Sequence, residues 1–157
     1  MTNADAPATP SELSTLLLQQ APDAVIFAGR DGLVQSWNPA AEALFGYTAE
    51  EAIGQSLDII VPERFRDAHW TGYDRALAAG DTKYRGQSLP TRAQRKDGEQ
   101  IYVELSFAII HDAGGEVIGA SAHARNIHER YIEERDRRKR LAAAEHRLSE
   151  LGESVPE

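Results

Sequence analysis

Apolar and polar residues alternate along the chain with two different periods. A hairpin is predicted first, where apolar runs at 24–28 and 33–37 flank a glycine-containing turn. Helical periods follow as far as Gly80, and beyond it period-two alternation predicts three strands, at 84–95, 101–109 and 117–125. This order predicts an α+β fold, in which a five-stranded antiparallel sheet carries short helices on one face.

The pattern also predicts one domain with flanking segments. The predicted order is a disordered N-terminus at 1–10, a helix at 11–20, the compact domain at 21–126, a charged helix at 127–152 and a tail at 153–157. Ser11 is the predicted cap of the N-terminal helix. One face of that helix is apolar, and we expect it to dock on the domain through Leu13, Leu16 and Leu17.

Capping residues predict where two short helices of the domain begin. Asn38 precedes Pro39, which suits the first position of a helix. Thr48 stands three residues before Glu51, which is the spacing of a capping box. We therefore expect two short helices between the hairpin and the helix at 62–80.

The C-terminal helix carries a second apolar seam. Its heptad spacing runs through Leu141, Ala144, Leu148 and Leu151, although the upstream continuation of the seam is charged. Two interpretations are equally supported by this pattern. One is a helix that dimerises as a coiled coil, and the other is a solvated helix packed on its own domain.

The composition is acidic and lacks cysteine. A formal net charge of −8 and a pI near 5.1 argue against nucleic acid or anionic membrane as the main partner. Without cysteine there is no disulfide, thiolate nucleophile or cysteine-ligated metal. The sequence has no membrane-span run and no signal pattern, so we expect a cytoplasmic protein. It also has no catalytic metal spacing, Ser-His-Asp arrangement or phosphate loop, so we expect no enzyme.

The predicted helix at 62–80 has a histidine on an otherwise apolar face. Helical spacing places on this face Phe65, His69, Gly72, Tyr73 and Ala76. Glycine costs a helix about 1 kcal/mol relative to alanine, so Gly72 indicates that something flat approaches the backbone. By itself, His69 is either a metal ligand or a histidine packed under the sheet. Among the other histidines, His123 on the last strand is a further candidate that could reach the same pocket.

Several short motifs occur in the order typical of one family. They include Ala21-Pro22-Asp23-Ala24, Trp37-Asn38-Pro39, Phe45-Gly46-Tyr47 and Lys96-Asp97-Gly98. Over about residues 20–130 the chain resembles a PAS sensor domain of the S-box type. Such domains commonly end in Asp-Ile-Thr, whereas this chain has Asn126-Ile127-His128. The resemblance implies a PAS fold and a role in signal transduction, and the fold alone does not choose the ligand.

The helix at 62–80 resembles that of heme-binding PAS domains of the FixL-like gas-sensor group. The resemblance implies heme b as cofactor, with His69 as the iron ligand beside Gly72 and Tyr73. It places Arg75 and Lys83 near the heme propionates. The implied apolar wall on the other side of the heme consists of Val103, Leu105 and Phe107. Leu89 stands where this group has an arginine that hydrogen-bonds bound oxygen. Arg92, three residues on, takes the place of that arginine only through a bulge or a register shift.

Two functions follow from these resemblances. The first is a heme-based sensor of a diatomic gas (CO, NO or O2) or of redox state, with CO or NO favoured because the distal side is apolar. Its signal would pass through the C-terminal helix to a partner protein or an output domain. The alternative is a cofactor-free PAS module for dimerisation or ligand binding.

For both functions we expect a homodimer formed through a face of the PAS domain and the C-terminal helix. Flavin–cysteine photochemistry is excluded by the absence of cysteine, and at most a heme-dependent side activity is expected.

Overall fold

A five-stranded antiparallel sheet forms the centre of the computed structural model, which describes residues 6–83 and 86–152. Its strands are β1 Ala24–Gly29, β2 Val34–Trp37, β3 Leu89–Gln94, β4 Gln100–His111 and β5 Val117–Asn126. Their order in the sheet is β2-β1-β5-β4-β3, and each neighbouring pair is antiparallel. The predicted α+β class and the five-stranded sheet are confirmed.

Helices precede, interrupt and follow the sheet. They are α1 Pro10–Gln19, α2 Pro39–Phe45, α3 Ala49–Ala52, α4 Arg66–Ala79 and α5 His128–Glu150, with short 3-10 helices at Leu57–Ile59 and Glu63–Phe65. By their internal contacts the residues form two units, Met1–Asn126 and Ile127–Glu157. No helix in the described part of the chain combines the length and hydrophobicity that a membrane span requires.

The two short helices begin at the capping residues that the sequence indicates. The Asn38 side chain accepts a hydrogen bond from the Ala41 backbone N–H at the start of α2. Thr48 and Glu51 form a reciprocal capping box at the start of α3. Because these bonds satisfy helix N–H groups that lack partners inside the helix, they fix both helix starts.

Strand register determines which side chains share a face of the sheet. Ile26 lies opposite Ala122, Ala122 opposite Phe107, and Leu105 lies opposite Leu89. Directly opposite residues project to the same side, so these side chains line one face, which we call the inward face. The hydrophobic core lies on the inward face and includes Ala24, Ile26, Ala28, Ile101, Val103 and Ala124.

The N-terminal helix begins earlier than predicted. Thr9, and not Ser11, is its cap, because Thr9 and Glu12 bond reciprocally and Pro10 occupies the first helical position. The predicted docking of this helix through its leucines is wrong. Asn38 donates to the Leu18 carbonyl and holds the last turn, whereas α1 has no buried residue and exposes Leu13, Leu16 and Leu17.

The third strand is shorter than predicted. It begins at Leu89, whereas Gly86, with a φ of 72°, and the residues up to Ser88 are not extended strand. Residues 84 and 85, where the sequence predicted its start, lie outside the described residues. So do residues 1–5 of the predicted disordered N-terminus and the predicted tail at 153–157. Pro90 lies on an edge strand, as expected, because it cannot donate to a second neighbour.

Candidate functional site on helix α4

The face that helix α4 presents to the domain only partly matches the predicted one. Leu77 is buried, and the half-buried residues include His69, Trp70 and Tyr73. Phe65 is 40% exposed and Gly72 is exposed, so their assignment to the buried face is wrong. A rotation of the helix about its axis brings in the bulky Trp70 and Leu77 and turns the smaller Gly72 to solvent. Phe65 lies before α4, at the end of the 3-10 helix Glu63–Phe65.

Trp70 connects α4 to two other segments. Its indole N–H donates to the Asp58 carboxylate at 2.8 Å. Its ring covers Gly32 in the β1–β2 turn, where an added Cβ would lie only 2.3 Å from the tryptophan ring. Gly32 also has a φ of 76°, which glycine adopts readily. The β1–β2 turn therefore accommodates the Trp70 ring because Gly32 has no side chain.

Two further side chains hold α4 in place. The Tyr73 hydroxyl donates to the carbonyl of Gly29 at 2.6 Å and lies 3.2 Å from that of Ala28. Burial, together with Asp31 and Asp74, raises the pKa of Tyr73 to about 12. Arg66 donates to the carbonyls of Val61 and Asp58, at 3.1 and 3.3 Å. These bonds run to β1 and to the segment that precedes α4.

His69 packs against the two aromatic residues of this helix face, which also contact each other. Its ring centroid is 4.7 Å from that of Trp70, at an interplanar angle of 77°, and 5.9 Å from that of Tyr73, at 32°. Its Nδ1 atom is buried and has no hydrogen-bond partner. Burial lowers the pKa of His69, and the charge of Asp58 opposes this shift. The lowered pKa favours the neutral imidazole, which is the form that binds metals.

The predicted apolar wall lies on the inward face of the sheet. Leu105 is opposite Leu89 on one side and Ala124 on the other, and Phe107 is opposite Ala122. Val103 is 1% exposed, whereas Leu89, Leu105 and Phe107 are half-buried. The inward face is thus closed around Val103 and only partly covered toward Phe107. A ligand that covered this part of β4 would bury further apolar surface.

Arg92 projects to the opposite face of the sheet. It pairs with Tyr102, its guanidinium lies 4.9 Å from the centroid of that ring, and it donates to the tyrosine hydroxyl. The β3–β4 register runs without a shift from Leu89 to Gln94. No bulge in this pairing therefore turns Arg92 inward, and Leu89 keeps the inward position.

The remaining candidates lie at exposed positions. Arg75 and Lys83 are exposed, as is Gly72, where an added Cβ would meet nothing within 4 Å. His123 is exposed and lies opposite Val25 and Ser106 on the outward face, so this candidate does not reach the pocket. Among the described residues, no group of three or more His, Cys, Asp or Glu side chains is arranged to hold a metal ion.

Sequence reasoning missed Trp70 and Asp58. A signal for Trp70 was present, because Arg66, Trp70, Tyr73 and Leu77 recur at spacings of four, three and four, as regularly as the predicted stripe. Nothing in the local pattern pointed to Asp58, whose role depends on the folding of the segment before α4 against that helix.

Comparisons with known proteins agree with this fold. The family described as PAS fold matches residues 18–132. The sensor protein FixL of Bradyrhizobium diazoefficiens is 33% identical over 98 residues, which are 62% of this chain. The oxygen sensor protein DosP of Escherichia coli is 32% identical over 81 residues, which are 52% of this chain. A PAS domain from Colwellia psychrerythraea superposes with a TM-score of 0.67 at 21% identity, over 77% of this chain and 99% of that domain.

The chain is similar to a small part of its curated relatives. The matched segment spans 19% of the length of FixL and 10% of the length of DosP. The match to the PAS fold, in contrast, covers most of the chain and includes the whole sheet and α4. The chain therefore belongs to the PAS family, as a sensor domain of signal transduction that resembles FixL-like ones.

Proposed function

We propose that this PAS domain binds heme b through His69 and senses a diatomic gas or a redox state. The observation that carries the proposal is the state of His69. The imidazole lies half-buried on the packed side of α4, its pKa is lowered by burial, and its buried Nδ1 has no partner. A neutral, partly desolvated imidazole suits the donor chemistry of heme iron. Similarity to FixL and to the oxygen sensor DosP supports this assignment.

The other candidate residues have distinct roles in this proposal. Heme held by one imidazole supplies an iron atom that accepts a small gas molecule. Tyr73 packs beside His69, and Gly72, on the same helix, has open space where a Cβ would lie. Arg75 and Lys83 are the residues that would neutralise the propionates by charge-assisted hydrogen bonds, which suits their exposed positions. The apolar residues that would exclude water from the site are Leu89, Val103, Leu105 and Phe107.

The side chains on the inward face favour carbon monoxide or nitric oxide over oxygen. An oxygen ligand would need a hydrogen-bond donor to stabilise it, and Leu89 offers none. Arg92 does not replace that donor, because it stacks on Tyr102 on the opposite face. An apolar wall therefore removes the contact that would stabilise oxygen and affects the less polar carbon monoxide much less.

Reconstitution with hemin tests the cofactor. The purified chain should give a Soret absorption band, and His69→Ala should abolish it, because that variant lacks the proposed ligand. His123→Ala serves as the matched control, since His123 is exposed on the outward face, and it should leave the band unchanged. Absence of a band, or a band that persists in His69→Ala, would contradict the proposal.

Gas selectivity is tested by placing a donor at Leu89. Leu89→Arg should strengthen oxygen binding about tenfold or more, because a charged donor contributes more than a neutral one. Arg92→Leu is the control, since its side chain is directed to the opposite face, and it should leave oxygen affinity unchanged. Equal oxygen affinities in Leu89→Arg and the unmodified protein would contradict an apolar distal wall.

The second candidate is a cofactor-free PAS module that dimerises and passes its signal to a partner protein or an output domain. The observation that favours it is the seam of α5, in which Leu141 is 60% exposed, Leu148 is 49% exposed and Leu151 is 72% exposed. Exposed leucines at heptad spacing suit a second copy of the same helix. This candidate predicts a dimer that forms equally well without heme.

A further inference from the structure

The His69 ring lacks, at its buried nitrogen, the hydrogen bond that usually orients a metal-binding histidine. A metal-binding histidine ordinarily donates its second ring nitrogen to a carbonyl or carboxylate, and that bond fixes the ring. The Nδ1 atom of His69 is buried without such a partner. What the ring does have is contact with two aromatic residues, Trp70 at 4.7 Å in an edge-on arrangement and Tyr73 at 5.9 Å in a tilted one, and these two rings also contact each other at 5.4 Å.

Both aromatic neighbours are fixed from outside α4. Trp70 donates to the Asp58 carboxylate at 2.8 Å, and Tyr73 donates to the Gly29 carbonyl at 2.6 Å. Asp58 is itself held, because its backbone N–H donates to the Ser56 hydroxyl at 3.1 Å. The two rings are therefore tied to separate parts of the domain, namely the segment before α4 and the end of β1.

We infer that Trp70 and Tyr73, held by Asp58 and the Gly29 carbonyl, are positioning residues that fix the orientation of the His69 ring in place of a hydrogen bond at Nδ1. This pair of tied rings is called the aromatic bracket below. Edge-on and tilted ring contacts of this kind are directional. The bracket itself is a property of the protein without ligand, and its use in heme binding rests on the proposed function.

The hydrogen bond between Trp70 and Asp58 can be removed from either partner by substitution. Trp70→Phe keeps an aromatic ring but removes the N–H that Asp58 accepts, and Asp58→Leu removes the acceptor. Asp58→Asn keeps an oxygen acceptor for the indole N–H while removing the charge. If the hydrogen bond holds the bracket, Asp58→Asn should leave the orientation of the His69 ring unchanged. If Asp58 acts through its charge, Asp58→Asn should disturb that orientation.

NMR of the ligand-free, full-length chain tests this directly. In the unmodified protein the His69 ring should give one set of resonances with fixed contacts to Trp70 and Tyr73. Trp70→Phe and Asp58→Leu should each give an averaged or doubled set, and Asp58→Asn should retain the single set. Thr71→Ala is the control on the same helix, since the exposed Thr71 hydroxyl bonds only one turn back, to the Asp67 carbonyl.

Heme titration gives the second measurement. Trp70→Phe and Asp58→Leu should each weaken heme binding about tenfold, which is a usual effect of losing the groups that orient a metal ligand. The double variant Asp58→Leu/Trp70→Phe should be no weaker than either single one, because both remove the same hydrogen bond. Losses that multiply in the double variant would contradict a shared role.

The two measurements separate this inference from the proposed function. If the unmodified chain binds no heme, the proposed function fails, and the ligand-free spectra still decide whether the bracket exists. If His69 keeps a single ordered ring in both Trp70→Phe and Asp58→Leu, the bracket is overturned even if heme binds. Should Asp58→Leu not fold, the milder Trp70→Phe decides the question by itself.

Discussion

Asn38 links three segments of the domain through one buried side chain. It is 0% exposed, its oxygen accepts the N–H groups of Val25 and Ala41, and its nitrogen donates to the carbonyls of Leu18 and Asp23. Asn38→Leu leaves these groups unpaired. We expect a loss of about 3–5 kcal/mol of unfolding free energy, since a fully buried unpaired group costs about 1–3 kcal/mol and three of the four bonds are only part-buried.

Urea denaturation measures this loss at Asn38. The midpoint should fall while the slope with denaturant stays constant, because stability changes and the exposed surface does not. Gln20→Leu is the matched control, since Gln20 is an exposed amide at the end of α1, and its midpoint should change little. A midpoint for Asn38→Leu equal to that of the control would exclude a structural role for the four bonds.

Single residues differ in how well the sequence predicts them. Asn38 was identified as a helix cap from its place before Pro39, but its bonds to Leu18 and Asp23 depend on how separate segments meet. His69 was identified by its polarity on an apolar face, whereas its unpaired Nδ1 and its lowered pKa depend on burial. Capping is local chemistry, and burial is a property of the folded domain.

At the scale of elements, the end of helix α4 was predicted, whereas its start and its rotation were not, because Glu63–Phe65 form a 3-10 helix before α4 begins at Arg66. Its end at Gly80 agrees with the sequence, because Gly80 adopts a φ of 71° that suits a helix end. The rotation depends on distant partners, since Trp70 occupies the space above Gly32 and bonds to Asp58. Two stripes of similar regularity compete on this helix, and only tertiary packing chooses between them.

The exposure of Gly72 leads to a stability prediction for α4. An added Cβ at Gly72 would meet nothing within 4 Å, and alanine is favoured over glycine inside a helix by about 0.5–1 kcal/mol. Gly72→Ala should therefore raise the unfolding free energy of the heme-free protein by about that amount. Denaturation of both proteins in parallel measures the difference.

Gly119 provides the contrasting control for Gly72. A Cβ at Gly119, on β5, would lie 2.1 Å from the carbonyl oxygen of Ala28 on β1, so Gly119→Ala forces the two strands apart. It should lower stability by about 1–3 kcal/mol, which is typical of overpacking. If Gly72→Ala also lowered the stability of the heme-free protein, that result would contradict the solvent exposure of Gly72 on α4.

An ion pair between α3 and the β3–β4 turn predicts a pH dependence. The Lys96 ammonium bonds to Glu51, and with the Thr48 backbone N–H it lowers the pKa of Glu51 from 4.5 to about 2. A lowered pKa stabilises the fold above the unfolded value, and that contribution is lost as pH falls from 4.5 toward 2. Glu51→Gln should therefore lose less stability on acidification than the unmodified protein.

Urea melts at neutral pH and near pH 3 measure this difference. Glu50→Gln is the control, because Glu50 is the exposed neighbour of Glu51 on α3. The control should lose as much stability on acidification as the unmodified protein. Identical acid sensitivity in the Glu51→Gln and Glu50→Gln variants would show that the Lys96 contact contributes nothing.

At the scale of the whole molecule, the sequence predicts the architecture better than the binding site. Ordered motifs and period-two strands were enough for the PAS fold and the five-stranded sheet, because each depends on local pattern. The face on which Arg92 lies depends on the register between β3 and β4, and a shift of one residue would reverse it. The sequence left that register open.

The seam of α5 carries the prediction for assembly. A leucine that meets its counterpart in a second helix is buried there, so a charge at that position opposes pairing. Replacing Leu141 and Leu148, both exposed in the single chain, by lysine should convert a dimer into a monomer. Replacing Ala142 and Ser149 by lysine adds the same charge one residue further around the helix, and this variant should remain dimeric. Sedimentation equilibrium gives both masses, and a dimer that survives the lysines at Leu141 and Leu148 would mean that other surfaces join the two copies.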